Sequence, residues 1–179
     1  MAELEQLRYP IGRWKRSRDP AAEQTRESIE AIADAPVALR RAVSGLSEEQ
    51  LDTPYRPEGW TVRQVVHHFV DSHVNSYVRF RLAMTEQEPT IRPYDEKAWA
   101  ELADAREAPI AISLHLADAL HDRWTRLLRS FDETDLKRCY FHPDIGKLNV
   151  VDTISTYAWH CRHHIAHVTS LRQRMGWSE

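Results

Sequence analysis

The chain is poor in glycine and cysteine, and it has no long apolar run. Only 5 of its 179 residues are glycine, and strand-like alternation of apolar and polar residues is scarce, which argues against an all-β fold. Its two cysteines, Cys139 and Cys161, form no CxxC pair and are too few for a disulfide framework, so we expect free thiols in a reducing compartment. No apolar run approaches the roughly 18 residues of a membrane span, and the N-terminal residues lack the apolar core of a signal peptide. The sequence therefore predicts a cytoplasmic protein.

The chain also lacks a strong charge of either sign. Its formal net charge is −3 with neutral histidines, which gives no reason to expect a nucleic acid or an anionic membrane as a partner. The hydrophobic content of 42% indicates a globular chain. A length of 179 residues is enough to bury a core without disulfides. We therefore predict a single domain over 1–179, with residues 1–18 as an extended N-terminal arm.

Helical periodicity accounts for most of the remaining chain. Asp19 and Pro20 read as the N-cap and first position of a helix, and Ser47 and Thr61 each open a capping box. The Ser47 box begins a short turn, and the four long helices, joined by connections of varied length, predict an all-α four-helix bundle, in which the long connection between the second and the third suits a crossover. The stretch CYFHPDIGKL predicts a small β-hairpin before the last helix. The four predicted helices run from 19 to 44, from 61 to 84, from 109 to 129 and from 149 to 175.

Histidine is concentrated in two of these helices. Six of the ten histidines lie in two short runs, and neutral imidazole is the commonest side-chain ligand for transition metals. The second helix carries the first run and the last helix carries the second. The sequence therefore predicts a metal site between these helices. The six residues are His67, His68, His160, His163, His164 and His167.

The last helix offers two pairs of histidines with the i,i+4 spacing that places two imidazoles on one helix face. His163 and His167 continue along a mostly polar face. His160 and His164 flank the apolar stripe, and a site inside a bundle requires the inward pair, so we favour them. The remaining histidines, His73 and His121 among them, are interpreted as surface, packing or ligand-orienting residues.

The same comparison of faces applies to the second helix. His67 shares its face with Val70, Val74 and Val78, whereas His68 lies on a largely polar face. We therefore favour His67 as the third ligand and keep His68 as the alternative. Three histidines without a fourth protein ligand are typical of an open, catalytic metal site rather than a closed structural one.

Three segments of the sequence resemble a known family. GWTVRQVVHHFVDSH, IRPYDEKAW and YAWHCRHHIAHVTSLRQRMGW are similar to the DinB-like metalloprotein superfamily, and most closely to its YfiT-like branch. The resemblance implies a four-helix bundle in an up-down-down-up arrangement and a homodimer. It also implies one divalent metal per subunit, zinc or nickel, held by His67, His160 and His164, although the wider superfamily more often aligns its ligand with His68.

The same resemblance implies a metal-dependent hydrolase, in which a metal-activated water attacks a small-molecule substrate with a polarised carbonyl. Related sites serve thiol-dependent transferases that use bacillithiol or mycothiol, so a thiol S-transferase is the alternative. A non-catalytic metal-stabilised bundle that acts as a binding or dimerisation module is the third hypothesis. The sequence has no GxSxG motif and no paired-carboxylate signature, which leaves the metal as the source of the chemistry.

Overall fold

The computed structural model describes residues 2–16 and 22–177. Four long helices form the body of the protein, and shorter elements occupy the connections between them. A two-stranded antiparallel hairpin precedes the last helix, with Cys139 paired to Asn149 and His142 paired to Gly146. The elements are α1 (Ala2–Arg8), α2 (Ala22–Val43), α3 (Glu48–Leu51), α4 (Val62–Thr85), α5 (Glu96–Ala100), α6 (Ala103–Glu107), α7 (Ile110–Arg129), α8 (Glu133–Lys137), β1 (Cys139–His142), β2 (Gly146–Asn149) and α9 (Val150–Met175).

Side-chain pairs between the long helices establish their relative directions. Helices α2 and α7 are antiparallel, α4 and α7 are parallel, and α4 and α9 are antiparallel. The long helices therefore run up, down, down and up in chain order, as the resemblance implied. The pairs are Glu30–Arg129 and Arg40–Asp118 between α2 and α7, His67–Ser113 and His73–His121 between α4 and α7, and His73–His160 and His68–His164 between α4 and α9.

Both α2 and α4 pack against α7 and α9, and the core lies between these four helices. Trp124, Phe69 and Phe80 are the largest apolar side chains that the long helices bury there. None of the helices in the described part of the chain is both long and apolar enough to cross a membrane. Cys139 and Cys161 are free thiols.

The predicted helix boundaries agree with the structure within a few residues. Both capping boxes are confirmed, since the side chains of Ser47 and Thr61 accept from the backbone N–H three residues later and the glutamine there accepts in return. Gly176 adopts the left-handed conformation that ends α9. The predicted helix start at Asp19 and Pro20 lies outside the described residues. The single domain over 1–179 stays a prediction.

The N-terminal arm differs from the extended segment that we predicted over 1–18. Residues Ala2–Arg8 form a helix, because alanine, leucine, glutamate, glutamine and arginine are all favourable in helices. The residues that follow lie along α9. The Trp14 indole N–H donates to Ser155 Oγ over 3.2 Å, and the Trp159 indole N–H donates to the Gly12 carbonyl over 3.0 Å.

Candidate metal centre

Three histidines from two antiparallel helices converge between α4 and α9. His160 and His164 lie one turn apart on α9, and α4 brings His68 to face them. One ring nitrogen from each residue lies within 4.8 Å of the others. The Nε2 atoms of His160 and His164 are 3.1 Å apart. The structure therefore assembles a three-imidazole group from the two histidine runs.

The geometry of this group fits a single transition-metal ion. Two nitrogens bonded to one ion at about 2.05 Å lie roughly 2.9–3.4 Å apart for angles of about 90–110°, and the two Nε2 atoms are 3.1 Å apart. The other nitrogen pairs lie within 4.8 Å and must close to the same roughly 2.9–3.4 Å, so His68 needs to move inward by up to about 1.5–2 Å. The Nδ1 atom of His164 is buried without a hydrogen-bond partner, as expected if that residue is oriented through its Nε2 atom.

The environment keeps these imidazoles neutral, which metal binding requires. Burial lowers the pKa values of His160 and His164 well below the ordinary histidine value, and the charges of neighbouring histidines lower them further. Burial also lowers the pKa of His68 to about 4, with a smaller contribution from His167. The lone pairs are therefore available at neutral pH.

The favoured third ligand, His67, lies outside the group, and its alternative His68 takes that position. The Nδ1 atom of His67 is 2.7 Å from Ser113 Oγ on α7, and its Nε2 atom is 3.1 Å from the carbonyl of Ala108. Both ring nitrogens are thus engaged in contacts that hold α4 to α7 and to the connection before it. In the structure His67 joins helices, and it does not face α9.

The comparison of helix faces favoured His67 because it assumed that the polar side of α4 is exposed and the apolar side is buried. The structure does not show this contrast. The side of α4 that carries His68 is polar and yet buried, with Gln64 and Ser72 at 7% and 6% exposure. The apolar Val74 and Val78, which pointed to His67, are exposed at 37% and 47%. On this helix polar side chains are buried and two valines are exposed, which is the reverse of the pattern usual in amphipathic helices.

His163 and His167 also lie outside the three-imidazole group. Both are buried rather than on the surface, because the N-terminal arm covers them. His163 stacks on Trp159 with ring centroids 4.3 Å apart. His167 stacks on Tyr55 at 4.0 Å, and its Nε2 atom lies 3.0 Å from the Arg8 carbonyl. His163 also stacks on Tyr9 of the arm at 5.7 Å, so both histidines contact the arm from α9.

Two cavities flank the three-imidazole group. The larger, of about 570 Å³, opens onto His68, His160 and His164 and is also lined by Trp60, Arg56 and Lys97. The smaller, of about 340 Å³, lies on the other side of His160. His160 and Glu96 are the residues that line both. A small molecule can therefore approach the group from two directions.

Two further carboxylates, Asp71 and Asp152, are candidates for orienting a ligand imidazole or acting as a base. Asp152 lies at the start of α9, where the Asn149 side chain is the N-cap, and its carboxylate is 2.5 Å from Arg16 of the arm. Burial and, to a smaller extent, the charge of Asp104 raise the pKa of Asp71 to about 6. No contact described in the structure joins either carboxylate to a histidine of the group.

Sequence reasoning left His73 and His121 as surface, packing or ligand-orienting residues and did not identify their contacts. Both are buried, at 0% and 1% exposure. His73 Nε2 is 3.0 Å from His160 Nδ1, and His73 Nδ1 is 2.8 Å from His121 Nε2. The contacts span 87 and 48 residues of sequence, so no local spacing reveals them.

Comparisons with known proteins agree with this architecture. A family model described as the DinB superfamily matches residues 31–168. Proteins of Bacillus cereus and Bacillus mycoides, each named "putative metal-dependent hydrolase", are 51% identical over 174 residues, covering 97% of this chain and 100% of theirs. The solved structure of YfiT from Bacillus subtilis, described as "a probable metal-dependent hydrolase with an unusual four-helix bundle topology", has a TM-score of 0.95 and 49% identity, covering 97% of this chain and 99% of that one.

Proposed function

The chain belongs to the DinB superfamily, and on this premise we propose that it is a metal-dependent hydrolase whose divalent ion is held by His68, His160 and His164. The observation that carries the proposal is the convergence of three neutral imidazoles, with two Nε2 atoms 3.1 Å apart, at the wall of a 570 Å³ cavity. Three nitrogen ligands without a fourth protein ligand leave positions for water and substrate.

The chemistry comes from the ion, and the chain supplies its setting. When bound, a divalent metal provides a Lewis acid and lowers the pKa of a coordinated water to about 7. Trp60 packs against the His68 ring with centroids 4.5 Å apart and restricts its orientation. Glu96 lines both cavities, as His160 does, and we assign it as the residue that would accept a proton in the site.

The finer details of the proposal follow from the type of ligand. Imidazole suits zinc and nickel alike, so we propose one ion of either metal per subunit. The dimensions of the two cavities, about 570 and 340 Å³, favour a small-molecule substrate, and the proposed hydrolysis requires that it carry a polarised carbonyl. The homodimer and the cytoplasmic location predicted above remain part of this proposal.

Metal content of purified variants tests the ligand set. We expect one metal per chain in the wild type and in His67→Ala, and a loss of stoichiometric metal in His68→Ala, His160→Ala and His164→Ala. His67→Ala is a matched control, since it removes the same side chain from the adjacent position. Retention of metal by His68→Ala together with its loss from His67→Ala would contradict the proposed set.

Hydrolysis of p-nitrophenyl acetate tests the activity. We expect a chelator to abolish hydrolysis and added zinc to restore it, in the wild type but not in His164→Ala. Hydrolysis that is unchanged by chelation, or unchanged in His164→Ala, would refute a metal-dependent hydrolase.

A thiol S-transferase is a second candidate, and Arg79 is the observation that favours it. Arg79 lines the smaller cavity beside His160, and its Nε atom is buried without a hydrogen-bond partner among the described residues. A guanidinium there can pair with a carboxylate of a low-molecular-weight thiol. Electrophile consumption measured with and without bacillithiol separates the two functions, because a hydrolase does not require the thiol.

A further inference from the structure

A series of hydrogen bonds leads from the three-imidazole group into the core. His160 contacts His73 on α4, His73 contacts His121 on α7, and His121 Nδ1 lies 2.7 Å from the Ile32 carbonyl on α2. We call His73, His121, His160 and this carbonyl the histidine network. It joins all four long helices. With exposures of 0% and 1%, His73 and His121 have no contact with bulk water.

The carbonyl at the end of the network determines where every proton lies. A carbonyl oxygen only accepts, so His121 carries its proton on Nδ1 and donates to Ile32. A neutral imidazole has one donor and one acceptor nitrogen, which makes His121 Nε2 an acceptor. His73 must then donate from Nδ1, and its Nε2 accepts from the Nδ1–H of His160. The remaining nitrogen of His160, Nε2, is left with its lone pair.

The nitrogen of His160 that carries this lone pair faces the other histidines of the three-imidazole group. His160 Nε2 is 3.1 Å from His164 Nε2. The thiol of Cys161, 3.9 Å from His73 Nε2, is consistent with the same polarity.

We propose that His73 and His121 are positioning residues, which hold His160 in the Nδ1-protonated tautomer and present its Nε2 lone pair to the metal site. The role of these residues in metal binding rests on the proposed metal-dependent function. The tautomers of the three histidines do not require a metal. Partners that fix the tautomer and ring orientation of a ligand histidine raise metal affinity, and their loss costs about 10–100-fold. Here the partners are histidines that end on a backbone carbonyl.

The first test is nitrogen NMR of the wild-type protein, labelled with 15N-histidine and freed of metal with a chelator. We expect His73, His121 and His160 each to show a protonated Nδ1 and an unprotonated Nε2 at neutral pH. A protonated Nε2 on any of the three would overturn the proposal. If the three tautomers are as expected and the protein binds no zinc, the network stands and the proposed function fails.

The second test is zinc affinity, measured by competition with a chromophoric chelator. His121→Leu removes the acceptor for His73 Nδ1–H, and we expect zinc to bind about 10–100-fold more weakly. His121→Gln retains an amide oxygen to accept from His73 and an amide N–H to donate to Ile32, so it should restore most of the affinity. Equal weakening in both variants, or none in His121→Leu, would contradict a positioning role.

A stability control separates positioning from simple loss of packing. Leu128 is buried at 1% exposure on the same helix as His121, and it has no part in the network. We expect Leu128→Ala to lower the free energy of unfolding while leaving zinc affinity and the three tautomers unchanged. A comparable loss of zinc affinity in Leu128→Ala would show that affinity reports stability alone, and would overturn the argument.

Discussion

Acidification should unfold the metal-free protein, because the fold buries histidines in their neutral form. Burial lowers the pKa values of His121 and His167 to about 4 and that of His163 to about 3, whereas an unfolded histidine titrates near 6.5. Between these values the unfolded chain binds protons that the folded chain does not. The contribution of these neutral histidines to the free energy of unfolding is therefore complete above about pH 6.5 and is lost as the pH falls towards about 4.

The expected effect is large. A histidine with a pKa shifted from about 6.5 to about 4 loses about 2 kcal/mol of stabilisation between pH 7 and pH 5. His121, His163 and His167 together should lose about 6 kcal/mol, a substantial part of the roughly 5–15 kcal/mol typical of a domain. Asp71 acts in the opposite direction, since burial raises its pKa to about 6 and its protonation favours the folded state as the pH falls.

Urea unfolding followed by tryptophan fluorescence at pH 7, 6 and 5, in the presence of a chelator, measures this effect. His167→Gln should reduce the loss over that range by about 2 kcal/mol, because it removes one buried titrating group and retains a donor for the Arg8 carbonyl. His115→Gln is the matched control, since His115 is exposed on α7. A free energy of unfolding that does not change between pH 7 and pH 5 would refute the reasoning.

Three further predictions concern the core, the start of α4 and the site. Trp124→Ala removes a fully buried side chain and should lower the free energy of unfolding by about 3–5 kcal/mol in urea titrations. Thr61→Ala removes the capping box of α4 and should cost about 1 kcal/mol in the same assay. Glu96→Gln should retain stoichiometric metal and lower the rate of p-nitrophenyl acetate hydrolysis by about 100-fold or more; full activity would exclude Glu96 as the proton acceptor.

Most of the fold was predictable because its signals are local. The hydroxyls of Ser47 and Thr61, each followed three residues later by glutamine, begin helices α3 and α4 as expected. The hairpin before α9 was predictable from its turn, where Gly146 takes a positive φ of 88°. The helical arm was missed because its short amphipathic stretch, Ala2–Arg8, carries no start or stop signal, and nothing in its sequence shows that the rest of the arm packs on α9.

The site was predictable where it depends on one helix and not where it depends on two. His160 and His164 come together because a spacing of four residues places them on the same face of α9. The choice between His67 and His68 depends on which neighbour of α4 each one meets. His67 meets Ser113 of α7, and His68 meets His164 of α9. Both sides of α4 are covered there, so the usual contrast between buried apolar and exposed polar faces does not separate them.

The crossover between α4 and α7 is what allows the histidine network to exist. Because this connection is long, α7 runs parallel to α4, and residues advance together along the two helices: His67 meets Ser113 and His73 meets His121. A short hairpin connection would make the two helices antiparallel. If His67 still faced Ser113, His73 would then face a residue that precedes Ser113 in the chain, and it would not meet His121. The same connection carries Glu96 to the cavities. The topology thus supplies both the wall of the site and the partners that orient His160 within it.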